Sequence, residues 1–195
     1  MLILMHGYGS DEKDLFELAK AFPENYFIVS PRAPYVATGT NGYQWYEMTE
    51  INGQRDGNAQ QLAQSRTTIA TFITQVSKKY KVAPGSIYLS GFSQGAIMSY
   101  QVGLTQPNLI NGIAVLSGMI YPSFQKSIKP TPALQKLKIF VAHGAADTRI
   151  PYAKGKAAKD LLASKGITLE FHEYMGMGHS ITADVIRDMN KWLQK

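Results

Sequence analysis

Cysteine is absent from all 195 residues, which excludes disulfide frameworks, thiolate-bound metals and every mechanism built on a cysteine nucleophile. Long apolar runs are missing as well. The opening stretch, Met1 to Met5, is apolar but short and has no basic segment ahead of it, so it is neither a signal peptide nor a membrane span. It reads as a strand that begins abruptly, and we expect the natural chain to carry more sequence before it. Charged residues make up only 17% of the chain. The net charge of +6 is spread over loose lysine groups at 78–81, 126–129 and 154–159, which read as solvated faces. No basic run is interleaved with aromatics, so nucleic acid is not an expected partner. The four histidines show neither an H-E-x-x-H pattern nor clustered ligand spacing, and no metal or other cofactor is expected. With 45% apolar residues, the chain can bury a core without covalent help, and a single domain over 1–195 is expected.

Taken in order, Leu2–Met5 reads as a buried strand that His6-Gly7-Tyr8-Gly9 breaks. Ser10 is placed to cap a helix with Asp11, Glu12 and Asp14 in its first turn and Leu15, Leu18, Ala19 and Phe22 on one face. Tyr26–Val29 is the next expected strand, ended by Pro31 and Pro34. From Tyr35 to Gly57 neither helical nor strand periodicity is visible. That long loop is expected to wall a substrate pocket, with Trp45 and Tyr46 offering apolar surface; the alternative is that Trp45 simply anchors the loop on the core. Asn58 caps an expected helix to about Lys79. Strands at Ile87–Leu89, Ile113–Leu116, Lys138–Ala142 and Thr168–Tyr174 alternate with helices after the second glycine of the elbow described below, over about Tyr152–Ser164, and through Val185, Ile186, Met189, Trp192 and Leu193. Ser117–Leu137, with three prolines, reads as a second irregular excursion. Alternation of this kind predicts an α/β fold: a mainly parallel sheet in three layers, helices on both faces, ligands at the carboxyl ends of the strands.

The stretch Ser90-Gly91-Phe92-Ser93-Gln94-Gly95 lies between strand and helix. Gly91, Ser93 and Gly95 form the G-x-S-x-G pattern of a nucleophile elbow, a strained turn that lifts the serine hydroxyl clear of the backbone. A serine hydroxyl needs a base, and the base needs an acid to hold its tautomer. In an open hydrolase sheet these follow in the order Ser, Asp or Glu, His. Asp147 lies in the loop His143–Pro151 and His179 in the loop Met175–Ser180, each after a predicted strand. The expected catalytic residues are therefore Ser93, Asp147 and His179. Other candidates fit less well: His172 lies within a strand, His143 comes before Asp147, His6 precedes the elbow, and Asp160 and Asp184 sit on helices. For the oxyanion, the backbone N–H groups of Gln94 and Tyr8 are the expected donors. Ile150 and Met177, in the loops that carry Asp147 and His179, complete the expected pocket wall.

These residues resemble the phospholipase/carboxylesterase family of α/β hydrolases, which includes the acyl-protein thioesterases. The carriers are His6-Gly7-Tyr8-Gly9-Ser10-Asp11, Ser30-Pro31-Arg32-Ala33-Pro34, Gly91-Phe92-Ser93-Gln94-Gly95, His143-Gly144 through Asp147 to Pro151, and Phe171-His172-Glu173-Tyr174 with Gly176-Met177-Gly178-His179. The resemblance spans nearly the whole chain and implies an α/β hydrolase fold with its triad on Ser93, Asp147 and His179. Members of the family carry one or two strands ahead of the one leading into His6-Gly7, so a smaller sheet with a different edge is expected here. The implied activity is carboxylic ester hydrolysis through an acyl-enzyme, with lysophospholipids or acylated proteins as alternative substrates and a hydrolase-like ligand-binding protein as the non-enzymatic alternative. The expected partner is a small-molecule or lipid-like acyl ester, without nucleic acid or stable membrane insertion, on a cytoplasmic monomer or homodimer.

Overall fold

A computed structural model describes residues 1–195. Strand β1 (Leu2–Met5) is buried at every residue, and a loop leads from it to a 3₁₀ helix over Leu15–Ala21. The α-helix expected from Ser10 does not form. Ser10 Oγ donates to the Asp14 carboxylate instead of accepting a backbone N–H as a cap would, and Asp11 Oδ1 takes the N–H of Lys13. Strand β2 (Ile28–Val29) is shorter than expected. Tyr35–Gly57 is also not structureless: β3 (Tyr35–Val36) pairs antiparallel with β4 (Tyr43–Gln44), and β5 (Met48–Ile51) with β6 (Gln54–Gly57). Strands of two to four residues are too short for a period-two signal. The second hairpin turns at Asn52-Gly53, both at positive φ (52° and 71°), the turn for which Asn-Gly is the preferred pair.

Helix α1 (Ala59–Tyr80) starts where expected, because the Asn58 side chain accepts the N–H groups of Gln60 and Gln61, and it buries Leu62, Ser65, Ile69 and Ile73. Strand β7 (Tyr88–Phe92) runs into α2 (Gln94–Gly103), a helix buried along its whole length, and β8 (Gly112–Leu116) follows. The excursion after it contains two short helices, α3 (Pro122–Gln125) and α4 (Pro132–Lys136), each opened by a proline whose missing N–H costs nothing at a first helical position. Then come β9 (Lys138–Gly144), α5 (Tyr152–Ser164), β10 (Glu170–Tyr174) and α6 (Ala183–Leu193).

Six strands form one sheet in the order β10-β9-β8-β7-β1-β2, every pair parallel. Because both faces are covered, the strands read as nearly continuous apolar runs. Ile113, Val115, Ile139 and Val141 face α1, α2 and α5, in one core; Ala114, Leu116, Phe140 and Ala142 face the 3₁₀ helix and α6 in another. Parallel pairing also puts the carboxyl ends of β1, β7, β9 and β10 on one edge. The loops that leave them converge there.

Candidate active site

Ser93 follows β7 with φ 54° and ψ −112°, a conformation that costs a side-chain-bearing residue about 1–3 kcal/mol and persists only where its surroundings enforce it. Two contacts enforce it here: its N–H donates to Leu116 O at 3.0 Å, and its carbonyl accepts the N–H of Ile97 at 3.1 Å. The flanking glycines are demanded by close approach of backbones. A Cβ on Gly91 would lie 2.2 Å from the carbonyl carbon of Gly95, and one on Gly95 would lie 2.2 Å from Met5 O.

The Ser93 hydroxyl donates to His179 Nε2 at 2.9 Å, and His179 Nδ1–H donates to Asp147 Oδ2 at 2.7 Å. The second oxygen of the buried Asp147 carboxylate accepts the N–H groups of Arg149 and Ile150, both at 2.9 Å. Phe92 packs 4.8 Å from the His179 ring, between centroids. The two loops are tied to one another by Ala145 N–H to Tyr174 O and Ala146 N–H to Met177 O, both at 3.0 Å. Three residues far apart in the chain thus form one continuous hydrogen-bonded line.

Facing that line is the loop after β1. A Cβ on Gly7 would lie 3.5 Å from Ser93 Cβ, so this backbone passes directly over the elbow. The Tyr8 N–H donates to no protein group. Gln94 stands at the first position of α2, where an N–H has no carbonyl four residues back within the helix. Neither N–H is taken up by another backbone group.

The side chains that hold this loop were not recognised from sequence. His6 is fully buried; its Nε2 accepts the N–H of Ala33 at 3.1 Å and its Nδ1 donates to Gly7 O at 2.7 Å, which requires the neutral Nδ1–H tautomer. Burial accordingly pushes its pKa below the ordinary histidine value. Gln94 Oε1 accepts the N–H of Trp45 and its Nε2 donates to Tyr46 O, both at 2.7 Å, while Trp45 Nε1 donates to His6 O at 2.9 Å. The elbow, the β1 loop and the segment around Trp45 are therefore one hydrogen-bonded unit.

The expected pocket wall is not formed by the residues named for it. Trp45 and Tyr46 are 1% and 0% exposed, so they line the core rather than a substrate surface. Trp45 anchors its segment, and the Tyr46 hydroxyl meets that of Tyr121 at 3.0 Å, burial raising the pKa of both. Ile150 and Met177 are buried too: Ile150 serves Asp147 through its backbone, and Met177 packs in the core beneath α6. Large apolar side chains beside a polar site gain more by leaving water than by lining it. A cavity of about 530 Å³ does lie between the 3₁₀ helix and α6, but Ser93, Asp147 and His179 do not line it.

Among the remaining candidates, His172 donates to Glu170 and packs on Phe140, and Asp160 and Asp184 pair with Lys156 and Arg187 on the surface. His143 lies within β9, not in the loop after it, and points into the interior. No three His, Asp or Glu side chains are grouped as metal ligands would be. No helix is long and apolar enough to cross a membrane.

Comparison with known proteins agrees with the fold. The chain is 28% identical to acyl-protein thioesterase 1 of Gibberella zeae over 201 residues, covering 97% of this chain and 84% of that protein. It is 31% identical to acyl-protein thioesterase 1 of Neurospora crassa over 199 residues, covering 92% and 79%. Among solved structures, esterase PE8 superposes with a TM-score of 0.85 at 27% identity, over 99% of this chain and 90% of the other. The sequence model of the Phospholipase/Carboxylesterase family matches residues 1–195, and the chain belongs to that family of α/β hydrolases.

Proposed function

We propose that this chain hydrolyses carboxylic esters with Ser93 as nucleophile, His179 as general base and acid, and Asp147 as the group that orients His179. The observation that carries the reading is the unbroken line Ser93 Oγ, His179 Nε2, His179 Nδ1, Asp147 Oδ2, with links of 2.9 and 2.7 Å. Ser93 Oγ attacks the ester carbonyl while His179 Nε2 takes its proton; the carbonyl π pair moves onto oxygen, which the N–H groups of Tyr8 and Gln94 stabilise. Collapse of the tetrahedral intermediate breaks the bond to the leaving alkoxide, which departs with the proton from His179. Water, deprotonated by the same nitrogen, then attacks the acyl-Ser93 carbonyl; collapse of the second tetrahedral intermediate breaks the acyl–Oγ bond, His179 returns the proton to Ser93 Oγ, and the acid product leaves. Asp147 keeps the proton of His179 on Nδ1 and balances the imidazolium that forms in each half-reaction.

A thioester reading also has support, since the two relatives compared above, each matched over more than three quarters of its length, are named acyl-protein thioesterase 1. A thiolate leaves more readily than an alkoxide, so the same residues serve either bond. Turnover of p-nitrophenyl esters from acetate to decanoate, beside an acyl-thiocholine series, separates the two. Ser93→Ala is expected to lose at least ~10⁴-fold in kcat. A Ser93→Ala protein that turns over at the parent rate rules the reading out.

A further inference from the structure

Asp147 is buried, and the ionisable side chains within ion-pairing distance of it are two histidines, without a lysine or arginine. Its charge is balanced by N–H dipoles alone. One of them comes from the peptide between Arg149 and Ile150, whose position is set from the other side of Ile150 by His143. The His143 ring, fully buried in β9, has Nε2 2.8 Å from Ile150 O. A carbonyl can only accept, so Nε2 carries the proton. Nδ1 is buried without a partner. It faces α5 at Gly155, where a Cβ would stand 2.5 Å from it, so this glycine makes the room that the ring occupies. A proton on Nδ1 would point into this wall with no acceptor, at the cost of an unsatisfied buried donor. The ring is thereby held in the Nε2–H tautomer. The same nitrogen lies 3.6 Å from Asp147 Oδ2, too far for a hydrogen bond but close enough to set the positive end of its N–H dipole beside the oxygen that orients His179.

We propose that His143 is a positioning residue for the hydrolysis assigned to Ser93: it fixes Ile150, whose N–H fixes Asp147, which fixes His179. The proposal rests on that assignment. His143 touches no reacting atom, so its loss misaligns the acid and base without weakening substrate binding. His143→Leu keeps most of the volume and removes the donor. His143→Gln places an amide N–H at nearly the same reach.

The test is steady-state turnover of a p-nitrophenyl ester by the full chain and by His143→Leu, His143→Gln and Ser93→Ala, with proton spectra of each in the far-downfield region. His143→Leu is expected to lower kcat about 10- to 100-fold, the scale of a small misplacement of catalytic groups, with KM within about twofold of the parent. His143→Gln recovers most of that loss, and the His179 Nδ1–H resonance moves or broadens in His143→Leu but not in His143→Gln. Unchanged kcat and an unchanged resonance in a folded His143→Leu overturn the proposal, and so does a fall in kcat that only follows the folded fraction. If His143→Leu does not fold, the ¹⁵N shifts of the parent decide. The Nε2–H tautomer is expected, and an Nδ1–H tautomer overturns the proposal. Ser93→Ala keeps the two hypotheses apart: full activity there removes the catalytic assignment itself, whereas its inactivity beside a normal His143→Leu removes only the role of His143.

Discussion

Ser93 sits at φ 54° because three backbones meet around it, and the glycines at 91 and 95 are what allow them to meet. Gly91→Ala or Gly95→Ala would drive a methyl into backbone at 2.2 Å, which no rotamer change can relieve. Each is expected to destabilise the protein by about 1–3 kcal/mol or more and to abolish ester turnover, measured by urea denaturation alongside the p-nitrophenyl assay. At this scale much of the site was legible. Serine between glycines, an aspartate and a histidine in the right chain order carry their chemistry in their residue types. His6 and the Gln94 side chain did not, because their partners lie 27, 48 and 49 residues away in the chain and only folding selects them. For the same reason residue type could not decide between the two readings of Trp45, of which the anchor on the core is the one formed, and Tyr46 is buried beside it. An aromatic residue in a polar loop has no local signal that separates a pocket wall from an anchor.

Elements with strong end signals were the ones read closely. α1 starts after Asn58 as expected, and α5 matches the predicted Tyr152–Ser164. Asn58→Ala removes the acceptor of two N–H groups and is expected to cost ~1 kcal/mol, a fall in Tm of roughly 2–4 °C for a chain of this size, whereas Asn58→Asp keeps the cap and the Tm. Scanning calorimetry of both variants checks this. The elements that were missed are short: the two hairpins between Tyr35 and Gly57, and α3 and α4. They are held by tertiary contacts more than by periodicity. Asp56, for example, accepts both the N–H and the hydroxyl of Ser123, tying β6 to α3 across 67 residues. The Asn41-Gly42 and Asn52-Gly53 pairs were the local signs of the hairpins.

Across the whole molecule, several groups bind protons less readily folded than unfolded, and all act with the same sign. His6, held neutral by burial, has its pKa lowered, so the unfolded chain binds a proton first and stability is lost as pH falls below about 6.5. Glu170, hydrogen-bonded to Lys195, is lowered, and Glu12, hydrogen-bonded to Arg32, is lowered to about 2. Their contributions are present above the ordinary carboxylate range and fade as pH falls through the folded values. Both acids are largely solvent-screened and titrate at lower pH, so of these three groups His6 gives the first loss on acidification. Denaturation midpoints are expected to fall between pH 7 and 5, and His6→Gln should flatten that slope.

The sequence by itself determined what depends on residue type and local order: buried parallel strands alternating with helices, a serine elbow, an acid and a base in loops after later strands, and no thiol chemistry. Tertiary structure alone decided what depends on which surfaces meet. It turned Trp45 and Tyr46 inward, replaced a capped helix by a 3₁₀ turn, and set His6, Gln94 and His143 behind the line of Ser93, His179 and Asp147. A periodicity reports which side of an element is apolar, but a hydrogen bond between distant side chains exists only once packing has brought donor and acceptor within about 3 Å.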